Sequence, residues 1–273
     1  MASDFSFARL RDLPHPIQKL MTAFAEHRLL ATSALGIVPL LAIIFNDYRG
    51  FVALGPGGLP SNPLGWLAQL CLQPLGRLNT LSTSSLHSSR NADAVGPRGR
   101  DSFLGAQPLP PRRGHRPKVP GYVAPQRQTS ECAVGDAVAR MNAYVAGLAC
   151  RNPEALIIKG SGLESKHCKA LWLEDRRHPL PDYLAATTHG EIVHVHAEGS
   201  SHAVLSLIDA QIAIEQGWAQ LHKLSGRAGM LPLTYVLIYA PRDQDETEVW
   251  QRLVTASALF NTAHSGGSLR LML

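Results

Sequence analysis

Charged residues are scarce in this chain, 17% of 273, and aromatic residues scarcer still at 6%. With 45% hydrophobic residues, that balance excludes a polar disordered chain. Cysteine occurs four times, at Cys71, Cys132, Cys150 and Cys168, and no two stand in the CxxC spacing of zinc ribbons and thioredoxin-like sites. So few cysteines cannot form a disulfide scaffold, and they leave the redox compartment unread. No glycine-rich phosphate loop is present, which argues against a nucleotide-binding doubly wound fold. No GxSxG elbow is present either, and Cys168 and its neighbour His167 face oppositely on a strand, so nucleophilic catalysis is disfavoured. Long apolar runs are limited to one, which excludes a polytopic membrane protein.

That run, Leu29 to Phe45, carries no charge and would span about 25 Å as a helix, just enough to cross a thin bilayer. Pro39 near its middle is tolerated in a membrane helix, where neighbouring groups satisfy the freed backbone. The sequence therefore predicts an N-terminal segment (1–28) followed by a transmembrane anchor (29–46). Arg9, Arg11, Lys19 and Arg28 precede the anchor while only Arg49 follows closely, so the N-terminus is expected on the cytoplasmic side. A single-pass membrane location, such as the endoplasmic reticulum, follows, with membrane lipid as a partner. Residues 47–81 are expected to be an amphipathic docking region, because the apolar run Leu64 to Leu75 suits an interfacial helix better than a span. From 82 to 130 the composition shifts to Ser, Pro, Gly and Arg, read as a solvated tether. Net charge is 26 − 21 = +5, and the tether is basic. It has no interleaved aromatic platform, so no nucleic acid partner is expected.

The last segment, 131–273, reads as an α+β domain: a small, mainly antiparallel sheet with packed helices. Val134, Ala137, Val138, Met141, Tyr144, Val145 and Leu148 form a helical stripe. Strands are expected at 155–158, 169–173, 191–196, 202–208 and 234–240, and Asp209 is expected to cap a short helix ending at Gly217. Asp243 and Glu246 form a D-x-x-E capping box before a final helix bearing Val249, Leu253 and Phe260.

Chemistry gathers on histidine. His194 and His196 share one face of a strand, and a five-residue hairpin loop (197–201) would set His202 across from His196. His222 follows the capped helix and is a candidate for the same face. Glu198, Ser200 and Ser201 lie in the loop, within reach to fix an imidazole tautomer. Three readings stay open on pattern alone: a metal site on His194, His196 and His202; general base chemistry by an imidazole; or half-buried histidines bonded to backbone.

The run EIVHVHAEGSSHAVLSLIDAQIAIEQGWAQLHKLSG, followed by YVLIYAPRDQDETEVWQRLVTASALF, resembles the C-terminal signature of the fungal luciferase and luciferase-like domain family. DYRGFVALGPGGLP, RPKVPGYVAPQRQ and LESKHCKALWL are similar to the corresponding upstream stretches, so the resemblance covers most of 47–260. It implies a membrane-associated oxidoreductase whose luminous members add O2, as co-substrate, to the enolic α-pyrone 3-hydroxyhispidin. No organic cofactor is implied, and a metal is possible but not favoured. The expected intermediate is a strained peroxide that loses CO2. His194 or His196 is then the expected base, with His202 and His222 orienting or charge-stabilising. Arg242, Trp218, Tyr239 and Glu198 are expected to bind the flat anionic substrate. Two other functions compete: a metal-dependent enzyme on the same histidines, and a non-catalytic, membrane-tethered small-molecule binding protein.

Overall fold

The computed structural model describes residues 14–26, 28–91, 93–174 and 179–264; the expected N-terminal segment up to residue 13 lies outside them. Among the described residues there are eight α-helices: α1 (His15–Glu26), α2 (Arg28–Ala53), α3 (Pro63–Leu72), α4 (Ser84–His87), α5 (Ala137–Arg151), α6 (Asp182–Ala185), α7 (Leu207–Glu215) and α8 (Gln244–Ala263). Six strands accompany them: β1 (Leu156–Gly160), β2 (Lys169–Leu173), β3 (Glu191–Val195), β4 (Ser201–Val204), β5 (Ala219–Leu221) and β6 (Tyr235–Ile238). The chain divides into two compact units, Met1–Gly50 and Phe51–Leu273.

The first unit holds α1 and most of α2. At 1.5 Å per residue α2 is about 39 Å long, and it runs unbroken past Pro39. Its window Gly36–Ala53 is long and apolar enough to cross a membrane, with a mean hydropathy of 1.3. Ile37, Val38, Leu40, Leu41, Ile43 and Phe45 are all exposed along it.

In the second unit the strands form one antiparallel sheet in the order β1-β2-β3-β4-β6-β5, the α+β architecture expected. Helices α5 and α8 pack on one face. There Trp250 Nε1 donates to Ser201 Oγ (2.9 Å), and Ser257 Oγ and Asn261 Nδ2 donate to the Val204 carbonyl (2.8 and 2.9 Å). Ser201 and His202 are successive residues of β4, so the histidine lies on the opposite face from α8. The apolar core between sheet and helices includes Leu171, Ile192, Ala203, Val236, Trp250, Leu253 and Phe260.

Two local details differ from the pattern. Ser206, not Asp209, caps α7, accepting from the Asp209 amide at 3.1 Å. Freed from that task, the buried Asp209 carboxylate accepts from Ser102 Oγ (2.6 Å) and the Phe103 amide (2.9 Å). Asp243 caps α8 as expected, accepting from the Glu246 amide at 2.8 Å. The Glu246 carboxylate, however, accepts from the amide of Arg242 (3.0 Å) and pairs with Arg112 and Arg242.

The segment 82–130 is not a solvated tether. Leu86, Val95, Leu104, Leu109 and Val123 are buried in the core, and Arg112 is 8% exposed. Its polar residues lace onto the β5–β6 side of the sheet. Arg116 donates to the carbonyls of Ala219 (2.9 Å) and Ile214, Gln126 Nε2 to Leu221 O (3.3 Å), and the Ala240 amide to Gln128 Oε1 (2.8 Å). Bonds made in this way cover the exposed carbonyls of edge strand β5, which a bare edge would offer to other chains. Composition misleads here because arginines and glutamines that read as solvated spend their donors on backbone carbonyls.

Helix α3 starts where Asn62 accepts from the Gly65 amide (3.0 Å) with Pro63 in the first turn. Leu64, Leu67 and Leu70 on it, and Leu75, Leu78 and Leu81 beyond, are exposed.

Candidate active site

The register of β3 and β4 builds the site. His194 pairs directly with His202, and Val195 with Ser201. The expected partner, His196, instead lies in the turn, its amide donating to Ser200 O at 2.8 Å, with Gly199 at φ +94° turning the chain. The loop is thus tighter than the five residues expected, since glycine adopts that conformation at no steric cost. Convergence survives the shift. Ring centroids lie 5.0 Å apart for His194 and His196, 5.3 Å for His194 and His202, and 4.9 Å for His196 and His202. One ligand nitrogen from each of these three histidines falls within 4.8 Å of the others.

His222 joins them. Its amide donates to Tyr235 O (3.0 Å), continuing the β5–β6 pairing, and its ring centroid is 5.2 Å from that of His202. Tyr235 stacks on His202 at 4.7 Å. All four imidazoles are buried.

Hydrogen-bond partners assign the tautomers, because carbonyls and carboxylates only accept. His202 Nδ1 donates to Val236 O at 3.1 Å. His194 Nδ1 donates to Glu191 Oε1 at 2.6 Å, a carboxylate that also receives Ser161 Oγ (2.7 Å) and the Gly162 amide (2.8 Å). His196 Nδ1 donates to Ser200 Oγ at 2.8 Å, while that hydroxyl donates onward to Glu198. In each of these three rings Nδ1 is the donating atom, so with one ring proton apiece Nε2 is the bare nitrogen. His222 is reversed: its Nδ1 accepts from the Leu224 amide at 3.0 Å, so its Nε2 carries the proton.

Burial sets the charges. It holds His196 and His202 well below the ordinary imidazole range, reinforced by the neighbouring imidazoles, and pushes His222 down to about 3. Burial pushes the Glu198 carboxyl up against its bond from Ser200. It also raises the Cys168 thiol to about 11, aided by the Glu191 charge. Cys168 Sγ donates to Val195 O at 3.4 Å. Arg127, whose charge bears on His196 and Glu198, pairs with the buried Glu164 and donates to Leu54 O (2.9 Å) and Pro56 O (2.7 Å).

The structure thus brings His194, His196, His202, His222 and Glu198 together. Trp218, Tyr239 and Arg242 have other partners. Arg112 lies over the rings of Trp218 (5.8 Å) and Tyr239 (5.6 Å). Trp218 Nε1 donates to Pro110 O at 2.6 Å and the Tyr239 hydroxyl to Gln220 at 3.0 Å. Arg242 pairs with Glu246 and Glu131 and donates to Arg113 O, the core-edge salt bridge that a post-strand arginine commonly makes.

Glu191 was missed by sequence reasoning. Strict alternation puts it on the face opposite His194, but Trp172 pairs with Glu191 while Leu171 pairs with Val193, leaving Ile192 as the extra residue of a bulge. The bulge turns Glu191 onto the histidine face. An acid at the head of a strand carrying two histidines is the only signal the sequence holds for it.

The family described as Luciferase domain matches residues 189–257, a stretch that contains Glu191 and all four histidines. Over nearly the whole chain the protein is similar to named luciferases. It is 26% identical to that of Neonothopanus nambi over 250 residues, 86% of this chain and 88% of the relative. It is 26% identical to that of Armillaria ostoyae over 259 residues, 89% of this chain and 92% of the relative. The luciferase of Armillaria mellea is 25% identical over 246 residues, 86% of this chain and 88% of the relative. No solved structure matches the chain. The resemblance to the luciferase family read from the sequence is borne out.

Proposed function

We propose that the protein is a luciferase-like oxygenase, held at a membrane by α2, that adds O2 to an enolic α-pyrone such as 3-hydroxyhispidin, with or without light emission. The observation that carries this reading is the coincidence of the luciferase-matching stretch 189–257 with a buried set of histidines sorted into acceptors and a donor.

Addition of O2 to an enol needs the enolate, whose carbon is electron-rich enough to react. An enolic hydroxyl directed at the bare Nε2 atoms of His194, His196 and His202 donates to one of them and passes its proton to that nitrogen, the imidazole acting as general base. The Nε2–H of His222 is the complementary donor for the oxyanion. Glu191 and the Ser200–Glu198 pair keep the acceptor tautomers fixed, as carboxylates behind catalytic imidazoles do. The apolar span of α2 and the exposed leucines of α3 support a bilayer-associated location, suited to a sparingly soluble aromatic substrate.

The test is oxygen consumption with simultaneous photon counting when 3-hydroxyhispidin is added to the purified protein. Uptake dependent on substrate is expected, and lost in His202→Ala. Saturable binding of the pyrone with no oxygen uptake would overturn the oxygenase reading in favour of a binding protein.

A further inference from the structure

We propose that the bare Nε2 atoms of His194, His196 and His202 together hold one divalent first-row metal ion, of the zinc or ferrous iron kind. With the ion bound these nitrogens are ligands and no longer proton acceptors, so the proposal replaces the imidazole-base step of the reading above with ionisation of the enol by a Lewis acid, and rests on that reading only for the identity of the substrate.

The reasoning starts from a conflict between lone pairs. His194 Nε2 and His196 Nε2 are 3.2 Å apart, yet both rings commit their single proton to an acceptor at Nδ1. Two lone pairs at that distance repel unless something positive lies between them. A shared proton would serve this pair alone, whereas His202 also brings a nitrogen within 4.8 Å of both. A metal ion satisfies all three at once. Its geometry also fits: two imidazole nitrogens each about 2.0–2.1 Å from a tetrahedral ion stand about 3.3 Å apart, close to the spacing observed.

The outer ring of contacts points the same way. Metal-binding imidazoles commonly donate their remote N–H to a carboxylate, a carbonyl or a hydroxyl, which fixes the tautomer and raises ligand basicity. Here one carboxylate (Glu191), one carbonyl (Val236) and one hydroxyl backed by a carboxylate (Ser200 with Glu198) perform that task. Glu191 and Glu198 together supply the two negative charges that offset a divalent ion. Three neutral imidazoles leave at least one coordination position open, the arrangement of catalytic rather than structural sites. When bound, such an ion would act as a Lewis acid toward an enolic oxygen. His222, with its proton on Nε2, is excluded from the ligand set and left as a donor beside it.

The experiment uses the tag-free, full-length chain without substrate, so that its outcome is independent of any oxygenase activity. The metal content of the protein as isolated is measured by mass spectrometry. After chelator treatment the protein is titrated with Co(II), then Zn(II), while visible absorption and thermal melting are followed. One tight equivalent is expected, with the d–d bands of a nitrogen-ligated tetrahedral or five-coordinate Co(II) and a raised melting temperature. Glu191→Gln should weaken binding by about 10–100-fold, and His202→Gln by more, while both retain the α+β circular dichroism spectrum. The Co(II) spectrum of the unaltered chain decides the matter even if a variant fails to fold. No tight equivalent in that chain, or affinity unchanged in both folded variants, would overturn the proposal. If the metal binds and no pyrone drives oxygen uptake, the metal site stands and the substrate reading fails.

Discussion

Glu191 and His194 sit three residues apart on one strand, yet a carboxylate oxygen of the first accepts from Nδ1 of the second at 2.6 Å. A regular strand forbids this contact; the bulge at Ile192 makes it. Glu191→Ala would leave His194 Nδ1, Ser161 Oγ and the Gly162 amide without their acceptor. The expected loss is about 3 kcal/mol, read as a fall in urea midpoint at unchanged slope. A loss under about 0.5 kcal/mol would contradict the buried, fully used carboxylate.

Asp209 offers a test of pH dependence away from the histidines. Burial raises its carboxyl above the ordinary range despite bonds from Ser102 and Phe103. The folded state therefore keeps this proton more readily than the unfolded chain. Its contribution to stability is greatest below the unfolded value, about 3.9, and falls as pH rises through the folded one. Asp209→Asn removes that slope, so the stability of the variant relative to the parent should improve with rising pH across the acidic range. A pH-independent difference in urea unfolding would refute the assignment.

Cys168 should be the least reactive of the four thiols. Its value near 11 leaves almost no thiolate at pH 8, whereas Cys71 and Cys150 are exposed. Timed alkylation with peptide mapping should modify those two first and Cys168 only on unfolding. Equal native rates would argue against the burial of its sulfur beside Val195.

The pair Arg127–Glu164 joins the loop after β1 to the stretch 54–56. Both side chains are largely buried, so Arg127→Ala leaves Glu164 uncompensated. Destabilisation of about 3–5 kcal/mol is expected, and Arg127→Ala/Glu164→Leu should recover part of it. Additive losses in the double variant would mean that the pair does not act as a unit.

Membrane association is expected to need both α2 and the leucines beyond it. Deleting residues 1–46 should release the protein from vesicles, and Leu64→Ser/Leu67→Ser/Leu78→Ser should weaken flotation of the full chain. Undiminished flotation of the deletion variant would remove the anchor from the account.

Much of this was legible in the residues, for identifiable reasons. Most strand and helix periods of 131–264 and the cap at Asp243 are local signals that the fold keeps, though the expected strand 202–208 stops at Val204 because Ser206 caps α7 from Leu207, and β5 carried no local signal. Convergence of His194, His196 and His202 followed from period-two alternation, even though the tighter turn at Gly199 paired His202 with His194 rather than His196. What sequence could not supply depended on long-range partners. Glu191 needed the bulge opposite Leu171 and Trp172. The fate of 82–130 needed the β5 edge, whose carbonyls absorb Arg116 and Gln126. Trp218 and Tyr239 needed Arg112, 106 and 127 residues away from them respectively, whose guanidinium lies over both rings.

The central claim is that oxygen is added to the substrate, and isotope labelling tests it most directly. The purified protein, metal-replete, is given 3-hydroxyhispidin under 18O2 in unlabelled water, and the organic product is analysed by mass spectrometry. The lactone carbonyl carbon lost as CO2 already carries an oxygen, so at least one atom from O2 must remain in the product. Labelled product formed only with intact His202 is the predicted result; product without label, or no turnover at all, would contradict it.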